Sequence, residues 1–145
     1  MDEISSEPPR SATGASGVSA CRGVRGATAV APFASPEALA QVVGEMLRRI
    51  LDDNRARTEE IAAVIFTVPE DLDGANPAAA ARSHGFESVP LLVVREHGGD
   101  QRVPRCLRVL VLLNTHLAQS ELRHAYLRGT QLLRPDLLPK VGDQT

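Results

Sequence analysis

The stretch Arg22-Gly23-Val24-Arg25-Gly26-Ala27-Thr28 begins the first part of the chain that is predicted to fold. It places two guanidinium groups, each followed by a glycine, near the start of a predicted strand over residues 21–30. Arginine is seldom fully buried without a partner, and ordering its side chain costs conformational entropy. Two interpretations therefore stay open. Both arginines are solvated at a sheet edge, or one faces a pocket and binds a carboxylate or phosphate in bidentate fashion.

Composition narrows the class of protein. A chain of 145 residues is long enough for one domain that buries a core without disulfides or a structural metal. The net charge of -2 argues against nucleic acid as the main partner, because a protein that binds the phosphate backbone needs a basic surface. Cys21 and Cys106 lie outside any Cys/His cluster, which predicts no metal site and a reducing, cytoplasmic location.

The chain is predicted to divide into three segments. Residues 1–20 are rich in Ser, Gly, Ala, Pro and Glu and lack the pattern of a secretory signal. They are predicted to be a disordered extension, or to follow from a start codon assigned too early. Residues 21–137 form the folded domain, and residues 138–145 form a flexible tail. No apolar run reaches the ~20 residues that a membrane-spanning helix needs, so no membrane partner is predicted.

The pattern after the first strand alternates helices and strands. Ser35, Pro36 and Glu37 predict a helix start, and apolar residues at three- and four-residue steps continue the helix towards Asn54. Asn76 and Pro77 start a short second helix. A third helix is predicted over residues 119–128. Strands are predicted over residues 21–30, 62–68, 89–94, 105–113 and 130–133.

This order predicts an α+β fold, a mixed β-sheet of about five strands with helices on one face. The strands are apolar on both faces, so the uncovered face is expected to contact further copies of the chain. Arg108 interrupts the most apolar strand, where an arginine is costly unless it meets an anion or a carboxylate. The alternative is an arginine that extends to water from the strand end.

The candidate site consists mainly of arginines. Guanidinium groups at four positions, together with Glu96 and the only tyrosine, Tyr126, predict a site that binds a multiply charged anion. Arginine is no general acid or base at neutral pH, so such a site acts by shaping the anion and stabilising its developing charge. Four solvated arginines are the alternative. The four arginines are Arg25, Arg82, Arg108 and Arg134.

Seven motifs, in the same order and at nearly the same spacing, resemble the monofunctional AroH-class chorismate mutases, the trimeric α+β type. The resemblance covers about residues 21–137. Together the motifs are specific, although each is weak alone. They occupy residues 22–28, 64–72, 77–82, 89–90 with Glu96, 105–109, 123–127 and 133–137.

The resemblance implies a pseudo-α/β-barrel homotrimer with active sites between neighbouring subunits. It implies the Claisen rearrangement of chorismate to prephenate, towards phenylalanine and tyrosine, with no cofactor, no metal and no covalent intermediate. The implied catalytic residues are Arg108 at the ether oxygen, Glu96 at the substrate hydroxyl, and Arg25, which also binds the substrate. The other implied substrate-binding residues are Tyr126, Arg82, Arg134, Val93, Asn76 and Leu133.

The chain departs from the family pattern at three positions in or near this implied site. Val93 stands where the best-known members have a cysteine, Asn76 where they have an aromatic residue, and Ala79 where they have a lysine. Two other functions remain as alternatives. One is a trimeric anion-binding or regulatory module with little catalysis, and the other is a lyase that removes pyruvate from a relative of chorismate.

Overall fold

The computed structural model describes residues 19–98 and 103–133. The predicted tail, Arg134 and all but Ser19 and Ala20 of the predicted extension lie outside these residues. Within them the chain forms five strands and two α-helices. These are β1 (Ala20–Ala29), α1 (Pro36–Asp53), β2 (Ile61–Val68), α2 (Pro77–Arg82), β3 (Leu91–Arg95), β4 (Cys106–Thr115) and β5 (Ala125–Leu127).

Helix α1 begins and ends where the sequence predicts. The Ser35 hydroxyl accepts a hydrogen bond from the backbone N–H of Ala38 at 3.0 Å, and Pro36 occupies the first turn, where its missing N–H costs nothing. Asn54 caps the other end. The apolar stripe between these caps is buried against the sheet, which is the main source of the helix's stability. Its buried members are Leu39, Val43, Gly44, Met46, Leu47, Ile50 and Leu51.

The five strands form one mixed sheet in the order β3-β2-β4-β1-β5. Strand β4 is antiparallel to both β1 and β2, whereas β3 is parallel to β2 and β5 is parallel to β1. The α+β class and the mixed five-stranded sheet are therefore confirmed. The buried core is shared between the helices and one face of the sheet, so the two helices cover that face together.

The alternation along β4 separates the two faces of the sheet as predicted. Leu107, Val109, Val111 and Leu113 are at most 4% exposed and belong to the core with α1 and α2. Arg108, Leu110 and Leu112 point the other way. We call this second side the open face. By strand register its main members are Arg25, Ala27, Ile65, Thr67, Leu92, Val94, Arg108, Leu110 and Tyr126.

Two sequence predictions near the end of the domain are wrong. Residues 119–128 do not form a third helix, because only Gln119–Glu121 make a 3₁₀ turn and Ala125–Leu127 form strand β5. The Gln119 side chain donates to the Gly23 carbonyl at 2.6 Å and accepts from its N–H at 3.1 Å, while His124 Nδ1 accepts from the N–H of Arg25 at 2.9 Å. These bonds hold the segment along β1 and override its helical propensity.

The predicted final strand is a 3₁₀ turn over Thr130–Leu133. The Thr130 hydroxyl lies 2.8 Å from the Leu127 carbonyl and 3.2 Å from the Ala27 carbonyl, so it folds the chain back locally. A smaller difference concerns β3, which begins at Leu91 instead of residue 89. Pro90 has no N–H for the ladder, although its carbonyl accepts from Val64 N at 2.9 Å.

Asn54 ties α1 to the segment that precedes β5. Its side chain is buried at 3% exposure, donates to the carbonyls of Ile50 (2.8 Å) and Arg123 (3.0 Å), and accepts from Arg123 N at 2.7 Å. We expect Asn54→Leu to lower the free energy of unfolding by about 2–3 kcal/mol, because it leaves buried backbone groups without partners. Urea denaturation monitored by circular dichroism measures this loss.

The control for this experiment is Asp53→Asn. It removes an exposed ion pair with Arg49, whose contribution is expected to be below about 1 kcal/mol. A variant Asn54→Leu as stable as the control would show that the three hydrogen bonds do not hold this part of the chain.

Candidate active site

One row of side chains crosses the open face from edge to edge. Register pairs Tyr126 of β5 with Ala27 of β1, Ala27 with Arg108 of β4, Arg108 with Thr67 of β2, and Thr67 with Val94 of β3. Residues paired in this way point to the same face of a sheet. Arg108 therefore stands in the middle of the row on the central strand.

The Arg108 guanidinium has an unused donor. Its Nε atom is buried and has no hydrogen-bond partner among the described residues, although the side chain as a whole is 35% exposed. Among the described residues the nearest carboxylate oxygen is Glu96 Oε1, 3.7 Å from Nε, which is an ion-pair distance but too long for a hydrogen bond. A buried donor without an acceptor is costly, so the position favours binding of a negatively charged oxygen.

Glu96 follows β3 directly and is held at its backbone and at its side chain. Its N–H donates to the Val68 carbonyl at 2.9 Å, and its Oε1 accepts from the Thr67 hydroxyl at 2.5 Å. The side chain is 20% exposed. Its carboxylate is thus fixed beside Arg108 and retains acceptor capacity for a ligand hydroxyl.

Three further predicted site residues share the open face. Tyr126 and Leu133 pack against a small buried cluster formed by Ala27, Val103 and Cys106, next to Arg108 in the sheet. Arg25 lies two residues before Ala27 on the same side of β1, with its side chain exposed and its backbone N–H bonded to His124. Two cations, a phenol and a carboxylate therefore line one surface.

The structure does not bring the remaining predicted residues to this surface within one chain. Asn76 and Arg82 belong to α2 and its cap, on the helix-covered side of the sheet. Val93 is level with the core residue Phe66, so its side chain points away from the open face. Asn76 also has a structural role, because its Oδ1 accepts from Ala79 N at 3.0 Å and caps α2.

The helix-covered side carries a groove of about 930 Å³ between the start of α1 and the loop before α2. Asn76 and Ala79 line it, together with Phe33 and Arg105. The groove therefore contains part of the predicted site but not Arg108 or Glu96.

Three residues that support the site were not predicted from the sequence. Thr67 contacts Glu96, while His124 and Gln119 bond the backbone of β1 around Arg25. For Thr67 a signal existed, since alternation along residues 62–68 places it on the same face as Ile65. For the other two no local pattern indicated that their segment pairs with β1.

Among the described residues, no group of three or more His, Cys, Asp or Glu side chains could hold a metal ion. Neither α-helix in the same part of the chain is long and apolar enough to cross a membrane.

These features define a class: an α+β protein whose mixed sheet presents an arginine–glutamate pair and further anion-binding groups on its uncovered face. The model of the family "Chorismate mutase type I" matches residues 21–137. The chain is 50% identical to the chorismate mutase AroH of Thermus thermophilus over 117 residues, which cover 80% of this chain and 95% of that protein. The chain therefore belongs to the type I chorismate mutase family.

Two further comparisons agree. The AroH chorismate mutase of Bacillus subtilis is 32% identical over 117 residues, covering 80% of this chain and 91% of that protein. A solved chorismate mutase structure from Clostridium thermocellum has a TM-score of 0.70 and 31% identity, covering 76% of this chain and 97% of that one. The chorismate mutase activity, an isomerase reaction, and the role in aromatic amino acid biosynthesis expected from the sequence are confirmed by this membership.

Proposed function

We propose that this chorismate mutase converts chorismate to prephenate on the open face, with Arg108 at the ether oxygen and Glu96 at the ring hydroxyl. The observation that carries the proposal is the buried Nε of Arg108, which has no acceptor among the described residues and lies beside the fixed Glu96 carboxylate. Such a donor is suited to an oxygen that gains negative charge during the reaction.

The rearrangement breaks one C–O bond and forms one C–C bond within a single molecule, so it needs no proton transfer and no electron acceptor. The C–O bond breaks ahead of C–C bond formation, and negative charge grows on the ether oxygen. A guanidinium fixed at that oxygen binds the transition state more tightly than the substrate, which lowers the barrier. Because Arg108 lies on the central strand, little reorganisation is needed at the moment of reaction.

Three other residues of the open face orient the substrate. Glu96 holds the ring hydroxyl through the carboxylate oxygen that Thr67 does not contact. Arg25 and Tyr126 bind substrate carboxylates on the side of β1 and β5. The two reacting carbons must approach each other, so holding the enolpyruvyl group over the ring lowers the entropic cost of reaching the transition state.

We further propose that the enzyme is a homotrimer and that each active site is completed by a neighbouring subunit. Leu92, Val94 and Leu110 on the open face are 56%, 40% and 36% exposed, an apolar area that favours contact with another copy. Arg82 and Asn76 lie on the other side of the sheet, so they reach the Arg108 row only if they come from a second chain. Arg134, outside the described residues, is proposed for the mouth of the same cleft.

The alternative is an anion-binding module with little catalysis. The specific observation that favours it is Asn76, which stands at a family aromatic position and is engaged in capping α2. Activity measurements separate the two functions directly.

The test is to follow the loss of the diene absorbance of chorismate with the purified protein and to identify the product by NMR. We expect prephenate as the product and the mass of three chains by light scattering. Binding of a chorismate analogue without turnover would favour the module, and release of pyruvate would indicate a lyase.

A further inference from the structure

Thr67 occupies the point of the open face where the two central groups of the proposed site meet. It pairs with Arg108 across the antiparallel β2–β4 ladder and with Val94 across the parallel β2–β3 ladder. Its side chain therefore projects between the guanidinium and the residue that follows β3, Glu96.

The Glu96 carboxylate is hydrogen-bonded to the Thr67 hydroxyl and not to the Arg108 guanidinium. Oε1 lies 2.5 Å from Thr67 Oγ1 but 3.7 Å from Arg108 Nε. Only the first distance is a hydrogen bond, and since an ionised carboxylate is an acceptor, the hydroxyl donates. The carboxylate therefore lies within ion-pair distance of the guanidinium but makes no direct hydrogen bond with its Nε.

A direct bond between Glu96 and Arg108 would harm the proposed reaction. Arginine and carboxylate readily form short, bidentate pairs, and such a pair would occupy the Nε donor that the ether oxygen needs. It would also neutralise the charge that stabilises the transition state. The backbone of Glu96 is fixed by Val68, so the side-chain torsions alone separate the two arrangements.

We propose that Thr67 is a positioning residue that holds Glu96 away from Arg108 and keeps the guanidinium donor open for substrate. This inference rests on the proposed function. The hydroxyl fixes one carboxylate oxygen, leaves the second for the substrate hydroxyl, and prevents Glu96 and Arg108 from pairing with each other when no substrate is bound.

Thr67→Val tests the proposal, because valine has the shape of threonine without the hydroxyl. We expect kcat to fall by roughly 10- to 100-fold with a smaller change in KM, as for a misplaced catalytic group. Thr67→Ser restores the hydroxyl and should recover most of the activity. The matched control is Thr58→Val, which removes a threonine hydroxyl that contacts a surface carboxylate, Glu59, and should leave kcat unchanged.

A double-mutant cycle separates this role from a merely structural one. If Thr67 acts through Glu96, then Thr67→Val should have little further effect on kcat in a Glu96→Gln background, because the two losses are not additive. Additive losses, or a Thr67→Val enzyme with wild-type kcat, would overturn the proposal. A Glu96→Ala enzyme with wild-type kcat would instead overturn the proposed site itself, so the two failures are distinguishable.

Thermal unfolding of every variant completes the test. If wild type and Thr67→Val melt at the same temperature but differ in kcat, the result supports a positioning role for Thr67. A Thr67→Val enzyme whose lost activity follows lost folding, and is not recovered by Thr67→Ser, contradicts it.

Discussion

Arg108→Ala is expected to lower kcat by at least about 100-fold, which corresponds to about 3 kcal/mol or more of lost transition-state stabilisation. The reason is that the Nε of Arg108 is the buried donor placed to meet the charge on the ether oxygen. Arg108→Lys should recover little of this loss, because an ammonium group cannot reproduce the planar donor geometry of a guanidinium. Loss of chorismate absorbance under saturating substrate measures both variants.

Arg49→Ala is the matched control. Arg49 is an exposed arginine on α1 whose partner is Asp53, four residues along the same helix, and its removal should leave kcat unchanged. Both arginine variants should melt close to the wild-type temperature. A fully folded Arg108→Ala enzyme with wild-type kcat would show that the electrostatic stabilisation comes from another group.

The second large effect concerns the shared active site. We expect Arg108→Ala and Arg82→Ala each to be severely impaired alone and to recover activity when their chains are mixed in one oligomer. If each site takes Arg108 from one subunit and Arg82 from its neighbour, the trimers that contain both variants keep about one third of their sites intact. The expected activity of the purified mixed oligomers is therefore about a third of the wild-type value, far above either parent.

Co-expression of the two variants with different affinity tags, followed by two-step purification, yields the mixed oligomers. The control mixes Arg108→Ala with Glu96→Gln. These two residues lie on the open face of the same chain, with Arg108 Nε 3.7 Å from Glu96 Oε1. That mixture should not recover activity by exchange, because no site regains both groups. Equal activity of the two mixtures would show that Arg82 does not complete a neighbour's site.

The sequence was sufficient for the elements whose pattern is local. Helix α1 has an N-cap, an apolar stripe and a C-cap within its own residues, and β4 shows its two faces by alternation. Both were predicted correctly. Strand β5 was not, because residues 125–127 form a strand only by pairing with β1, about a hundred residues earlier, and their own composition favours a helix.

The same distinction applies to the candidate site. Arg108, Glu96 and Tyr126 were predicted from motifs. The register of β5, β1 and β4 brings Tyr126 and Arg108 into one row, and Glu96, just after β3, lies 3.7 Å from Arg108. Thr67 was missed because its role depends on the pairing of β2 with both β3 and β4. That pairing cannot be inferred from the sequence of any one segment. Asn76 and Arg82 remain predictions, since they belong to a surface that the single chain does not join to Arg108.

The unfilled donor on Arg108 has a consequence for the enzyme outside catalysis. The buried Nε–H of Arg108 has no acceptor among the described residues, so binding of an anion there is expected to stabilise the folded state. Any ligand that binds only the folded protein adds to its stability in proportion to the logarithm of its concentration. We therefore expect the stability of this protein to rise with the supply of its substrate, so that chains with bound substrate are better protected against unfolding and proteolysis than chains without it.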